Sequence, residues 1–148
     1  MSLQEQVTQQ LKTAMKAKDS VALESLRAIK SAILLTQTQA GAKDLTAEDE
    51  IKLVQKLVKQ RKDSAEIFRQ QGREDLAEPE EAQIKIIEQF LPEQLDEAAI
   101  AEIIEGIIAQ TNAEGMKDMG KVMGMATKAM AGKADGKTIS AIVRQKLA

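Results

Sequence analysis

The sequence predicts an all-α protein: multihelical, with an elongated N-terminal helical lobe and a small C-terminal helical bundle. Three observations carry that prediction. Ala, Leu, Lys, Gln, Glu and Met dominate the 148 residues, and all are strong helix formers. Apolar residues recur at three- and four-residue steps, the spacing of one helix face. The β-branched and aromatic alternation of strands is missing, with two Phe and neither Trp nor Tyr.

The elements follow in order. Leu3, Val7, Leu11, Ala14 and Lys18 put a first helix over about 2–18. Asp19 or Ser20 can cap a second, about 20–40, with Ala22, Leu26, Ile29 and Ile33 as its stripe and Gly41 as its end. Thr46 opens a third, with Asp49 completing a capping box. Ile51, Val54, Val58, Ala65 and Phe68 form its buried face, and Gly72 stops it. A fourth runs over about 75–90, with Pro79 either in its first turn or at a later start, and Leu91-Pro92 breaks it.

The lobe boundary is expected at Leu91–Leu95, giving an N-terminal lobe over 1–91 and a C-terminal module over 96–148. Asp96 caps a helix to Thr111 that buries Ile100, Ile103, Ile104, Ile107 and Ile108. Asp118 is the expected cap of a helix to Ala131, and Gly132 its end. Asp135 caps the last helix, to Leu147.

Composition narrows the chemistry. The chain has no Cys and no His, hence no disulfide, no thiolate and no imidazole ligand or base. Together with N-terminal residues that lack the pattern of a secretory signal, this leads to the expectation of a cytoplasmic protein. No apolar run approaches the ~20 residues of a membrane span. Net charge is −2 but unevenly spread. Residues 1–74 hold 13 basic and 10 acidic side chains, residues 75–115 hold 1 and 11, and residues 116–148 hold 7 and 2. An acidic middle is thus flanked by basic ends.

Several local patterns invite function. Met119, Val122, Met123, Ala126, Ala129 and Met130 form a 3.6-period stripe that reads as core. Gly120 and Gly124 form a small-xxx-small pair that would let another helix come close. Lys117, Lys121 and Lys128 share the opposite face, with Lys133 and Lys137 in the following turn and Arg144 and Lys146 on the last helix. Such a cluster suits a phosphate backbone, and a solvated lysine face is the plainer alternative.

Other patterns yield less. Gly136-Lys137-Thr138 imitates the end of a P-loop, but Ala131 stands where its first Gly belongs and a helix precedes it. Arg61 falls in the apolar register of the third helix and needs a partner, with Glu24 or the acidic segment after Gly72 as candidates. Neighbouring Asp63-Ser64 has no base beside it to activate a nucleophile. The carboxylates Glu48-Asp49-Glu50 and Glu78-Glu80-Glu81 are expected in first turns, where they suit the helix dipole. No catalytic residue, metal site or cofactor is predicted.

Lys59-Gln60-Arg61-Lys62-Asp63-Ser64, Glu88-Gln89-Phe90-Leu91-Pro92-Glu93-Gln94-Leu95, and Gly120-Lys121-Val122-Met123-Gly124 followed by Gly132-Lys133-Ala134-Asp135-Gly136 together resemble the YqeY-like family over essentially the whole chain. Residues 96–148 also resemble the tail domain of the B subunit (GatB) of the tRNA-dependent amidotransferase, a helical module that contacts tRNA and is not the catalytic part. The resemblance implies two all-α subdomains and a link to tRNA.

By position, it marks Lys121, Gly124, Lys133 and Gly136 as the module's signature, the lysines as phosphate contacts and the glycines as close-packing or helix-end positions. The carbon–nitrogen ligase activity associated with the family belongs to the larger enzyme. It is not carried over, because this chain has no glutaminase nucleophile and no kinase-like ATP site. The expectation is a non-catalytic, tRNA-associated accessory protein. The alternative is a protein-interaction adaptor that docks a partner through Lys52, Lys56, Lys59 and Lys62 of the N-terminal lobe.

Overall fold

A computed structural model describes every residue except Ala40 and Ala42. Seven α-helices and one 3-10 turn make up the regular structure of the described residues. The chain divides into two compact units, 1–91 and 92–148, each with its own apolar core.

The first unit holds four helices: α1 (Leu3–Ala17), α2 (Ser20–Gln39), α3 (Ala47–Gln70) and α4 (Glu74–Glu88). A capping box starts α1: the Ser2 hydroxyl accepts the Glu5 N–H and the Glu5 carboxylate accepts the Ser2 N–H, both at 3.2 Å. Lys18 stands outside the helix, in the left-handed region at φ 56°. Between the two candidate caps, Asp19 is the one used, its carboxylate taking the Ala22 N–H at 3.1 Å. The expected end of α2 at residue 40 lies outside the described residues. Gly41 has φ +75°. Thr46 and Asp49 form the capping box of α3. Its hydrogen bonds from the Thr46 backbone and hydroxyl hold the Asp49 carboxyl below its ordinary pKa.

Leu26, Ile29, Ile33, Val54 and Ile87 fill the centre of this core, each at most 1% exposed. The Glu50 carboxylate accepts the Leu3 N–H at 2.6 Å, which ties the start of α1 to α3.

The start of α4 departs from the sequence reading. The helix begins at Glu74, and Pro79 lies inside it, beyond the first turn. Glu78, Glu80 and Glu81 therefore sit in the second turn. A proline there leaves one carbonyl without its amide donor. What holds the turn is an ion-pair cluster: Arg69 of α3 binds both Glu74 and Glu81, and Arg73 binds Asp75 at 2.9 Å. These bonds raise the pKa of Arg69 and lower those of Glu81 and Asp75. Arg61 also finds a partner on α4, but a neutral one. Its Nε donates to the Gln83 amide oxygen at 2.9 Å and its Nη1 to the Leu57 carbonyl at 3.1 Å. The side chain is half-buried, so a carboxylate is not needed to neutralise it.

The second unit holds α5 (Glu97–Thr111), a 3-10 turn (Met116–Asp118), α6 (Met119–Ala129) and α7 (Gly136–Leu147). Asp96 caps α5 through the Ala99 N–H at 2.8 Å. Ile100, Ile104 and Ile107 are buried, while Ile103 and Ile108 are half-buried at the edge of the core. Asn112 ends α5 in the left-handed region at φ 54°.

The expected cap at Asp118 is replaced by the reverse arrangement. Its carboxylate turns back to the Glu114 N–H at 2.9 Å, and α6 grows out of the 3-10 turn without a side-chain cap. Of the methionine stripe, Val122, Ala126 and Met130 are buried, Met119 and Met123 half-buried, and Ala129 exposed because α6 ends there.

Depressed carboxyl pKa values mean that the native state binds fewer protons than the unfolded chain. The tip of the α3–α4 hairpin is therefore fully stabilised above the ordinary carboxylate range, and that stability is lost as pH falls through and below it. Urea unfolding from about pH 6 to about pH 3 should show falling stability, with a shallower slope in Glu81→Gln than in the parent chain. An unchanged slope removes the Arg69 cluster from this account.

Candidate functional site

The second unit gathers the charged strings of the sequence around one turn. After α6 the chain passes through Met130, buried to 0% exposure, and Gly132, buried with φ +77°. That backbone conformation disfavours any side chain. Residues that precede α5 hold the turn from outside. Gln94 donates its amide to the Gly132 carbonyl at 2.7 Å, and the Leu95 N–H donates to the Lys133 carbonyl at 2.9 Å. Asp135 then caps α7 through the Thr138 N–H at 2.7 Å. This carboxylate occupies the helix N-terminus that the sequence left open to a phosphate.

The glycines of α6 do not lie where a close-packing role would put them. At 100° per residue, Gly120 and Gly124 fall opposite Val122 and Ala126. Both are exposed, and a Cβ on either would meet nothing within 4 Å. The reading of this pair as a helix-packing site within the molecule is thereby corrected. Gly136 is exposed at the first position of α7 and is likewise open. Exposed glycine inside a helix costs about 1 kcal/mol relative to alanine. The fold itself draws no benefit from Gly120 or Gly124.

The cations divide into groups. Lys121 and Lys128 share the exposed face of α6 with the two glycines and Thr127. Lys117 precedes the helix, in the 3-10 turn, and pairs with Glu114 at 3.6 Å, so it does not continue the α6 row in helical register. Lys133 is exposed in the turn. Lys137 and Arg144 stand seven residues apart on the outer face of α7, where Arg144 lines a shallow cleft with Glu97 and Thr138. Lys137 is engaged in an interaction of its own. Lys146 pairs with Glu105 at 2.6 Å. Lys121, Lys128, Lys133 and Arg144 carry no ion pair among the described residues.

The first unit contrasts with this. Of its proposed docking row, Lys52 pairs with Glu48 at 3.1 Å, Lys59 with Asp63 at 3.4 Å and Lys62 with Glu88 at 3.6 Å, while Lys56 is exposed. Its apolar surface is richer, with Met15, Leu34, Leu35 and Ile67 all exposed. Sequence reasoning missed these residues because each lies just off a buried stripe.

Such an arrangement is that of a binding protein: two helical units, with a partly unpaired cationic face on the second. The chain belongs to the YqeY-like family, whose model, Yqey-like protein, matches residues 4–147. Among its relatives is altered inheritance of mitochondria protein 41, mitochondrial. The protein of that name from Pyrenophora tritici-repentis is 33% identical over 127 residues, which cover 84% of this chain and 68% of the relative. The one from Lachancea thermotolerans is 43% identical over 93 residues, 63% of this chain and 49% of the relative. A glutamyl-tRNA(Gln) amidotransferase polypeptide of Thermococcus gammatolerans is 32% identical over 104 residues, 68% of this chain and 17% of that larger protein.

The fungal names overturn the expectation of a cytoplasmic location, since these relatives are designated mitochondrial. A chain without cysteine is compatible with more than one compartment, and composition had no means of choosing between them.

The two kinds of glycine predict opposite effects. Gly132→Ala should cost about 1–3 kcal/mol in urea unfolding, because it forces a side chain into the left-handed region. Gly124→Ala should gain up to about 1 kcal/mol. A loss of stability in Gly124→Ala contradicts the open environment described for it.

Proposed function

We propose that this chain is a non-catalytic accessory protein whose second unit grips the phosphate backbone of tRNA. The observation that carries the reading is the α6 face. Lys121 and Lys128 project from it without an ion pair among the described residues, beside two glycines that leave the main chain open. Unpaired cations near a surface without bulky side chains suit phosphates, which supply affinity and register without reading sequence. Lys133 and Arg144 extend the cationic surface along the turn and α7. Membership of the YqeY-like family and similarity to part of an amidotransferase named for glutamyl-tRNA(Gln) support tRNA as the nucleic acid. A role apart from catalysis fits the residue inventory, since a chain without Cys or His offers neither a thiolate nucleophile nor an imidazole base.

A second reading, a protein-interaction adaptor, is favoured by one observation: Met15, Leu34, Leu35 and Ile67 are exposed in the first unit. In that case proteins captured from lysate by the full chain persist after nuclease treatment, and Leu35→Ser releases them. Capture that vanishes with nuclease counts against the adaptor.

The tRNA reading makes a quantitative prediction. Affinity for tRNA should fall linearly on a log–log salt plot, with a slope of about −0.7 to −0.9 per phosphate neutralised. Lys121→Glu with Lys128→Glu should flatten that slope and weaken all tRNAs alike. Absence of binding in low-salt gel-shift titrations ends this reading.

A further inference from the structure

The geometry points to a double-stranded segment of RNA, held by its sugar–phosphate surface, as what the α6 face takes, rather than an unpaired strand. This inference rests on the reading of the second unit as an RNA-binding module and names the kind of RNA.

Three observations favour it. Single-stranded RNA is recognised by stacking its splayed bases on aromatic rings or guanidinium planes and by bonding their edges. Residues 92–148 contain no Phe, Tyr, Trp or His. The α6 face offers Gly120, Gly124, Thr127, Lys121 and Lys128, and carries no Arg, Asn or Gln to read a base edge. An unpaired strand would lay its bases on this surface without a partner for them.

Second, what the face does offer matches the outside of a duplex. Lys121 and Lys128 are seven residues apart, about 10.5 Å along the helix axis, so they are placed to meet separate phosphates. The Thr127 hydroxyl, exposed on the same side, is both donor and acceptor, the complement of a ribose 2′-hydroxyl. A-form RNA presents its 2′-hydroxyls on a wide, shallow minor groove that proteins recognise by shape.

Third, the surface beside the lysines is low. With no side chain on Gly120 or Gly124, and space for one at both, the helix backbone can approach the sugar edges of that groove. Nothing inside the molecule uses this openness. Duplex RNA would use it through contact at main-chain distance, while the lysines reach the bordering phosphates.

The test is a fluorescence-anisotropy titration of the full chain at one fixed low salt concentration. The probes are an RNA hairpin with a duplex of about 16 base pairs, an oligouridine of equal length, and a DNA duplex of the hairpin's sequence. The RNA duplex should bind at least about tenfold more tightly than oligouridine, and more tightly than the DNA duplex, which lacks the 2′-hydroxyl. Gly124→Leu, and separately Gly120→Leu, should weaken binding of the RNA duplex about tenfold, with a thermal midpoint no lower than that of the parent chain. Oligouridine bound as tightly as the RNA duplex, or glycine variants that bind the duplex unchanged, overturns the inference while leaving RNA binding itself in place. Failure of every probe to bind overturns both.

Discussion

The second unit depends on a turn that is held from outside. Gly132 can reverse the chain between α6 and α7 because it tolerates positive φ, but tolerance does not fix a conformation. Fixing it falls to the residues that precede α5. Gln94 bonds the Gly132 carbonyl and Leu95 bonds the Lys133 carbonyl. Those two bonds, with Met130 buried beneath and Asp135 capping α7, hold Lys133 between the two helices. The strings Glu93-Gln94-Leu95 and Gly132-Lys133-Ala134, almost forty residues apart in the chain, are thus two sides of one structure.

Charge is used differently in the two units. In the first, cations close on carboxylates: Arg69 clamps the tip of the α3–α4 hairpin, and three lysines of α3 pair along the helix or with α4. Exposed pairs of this kind contribute little individually, and their effect here is to hold local geometry and leave little unneutralised charge. In the second, Lys121 and Lys128 rise from a helix face that holds no carboxylate, and the same face keeps two glycines at a cost in helix stability. A surface that gives up stability and leaves its cations unpaired suits an external anion better than it suits the fold.

Much of this was legible in the sequence. The apolar stripes place all seven helices. Thr46 with Asp49, Asp96 and Asp135 announce helix starts, and Gly41, Gly72 and Gly132 take the positive φ that their positions suggest. What escaped depends on contacts that periodicity does not encode. Pro79 is tolerated inside α4, where Arg69 and Arg73 anchor the residues around it. Asp118 has the composition of a cap, yet the Glu114 N–H claims its carboxylate and α6 starts from a 3-10 turn. The partner of Arg61 is Gln83, an amide that a search for opposite charge passes over. Gly120 and Gly124 suggested helix packing by their spacing, but spacing alone does not say whether the face they share is turned inward or outward.

Hydrogen exchange of the full chain with and without a saturating tRNA tests the central claim most directly, because it asks which backbone amides the RNA covers. The account predicts slowed exchange over residues 117–137, centred on α6 and the turn through Gly132, with residues 1–91 unchanged. Protection confined to 1–91, or spread evenly over both units, would contradict it.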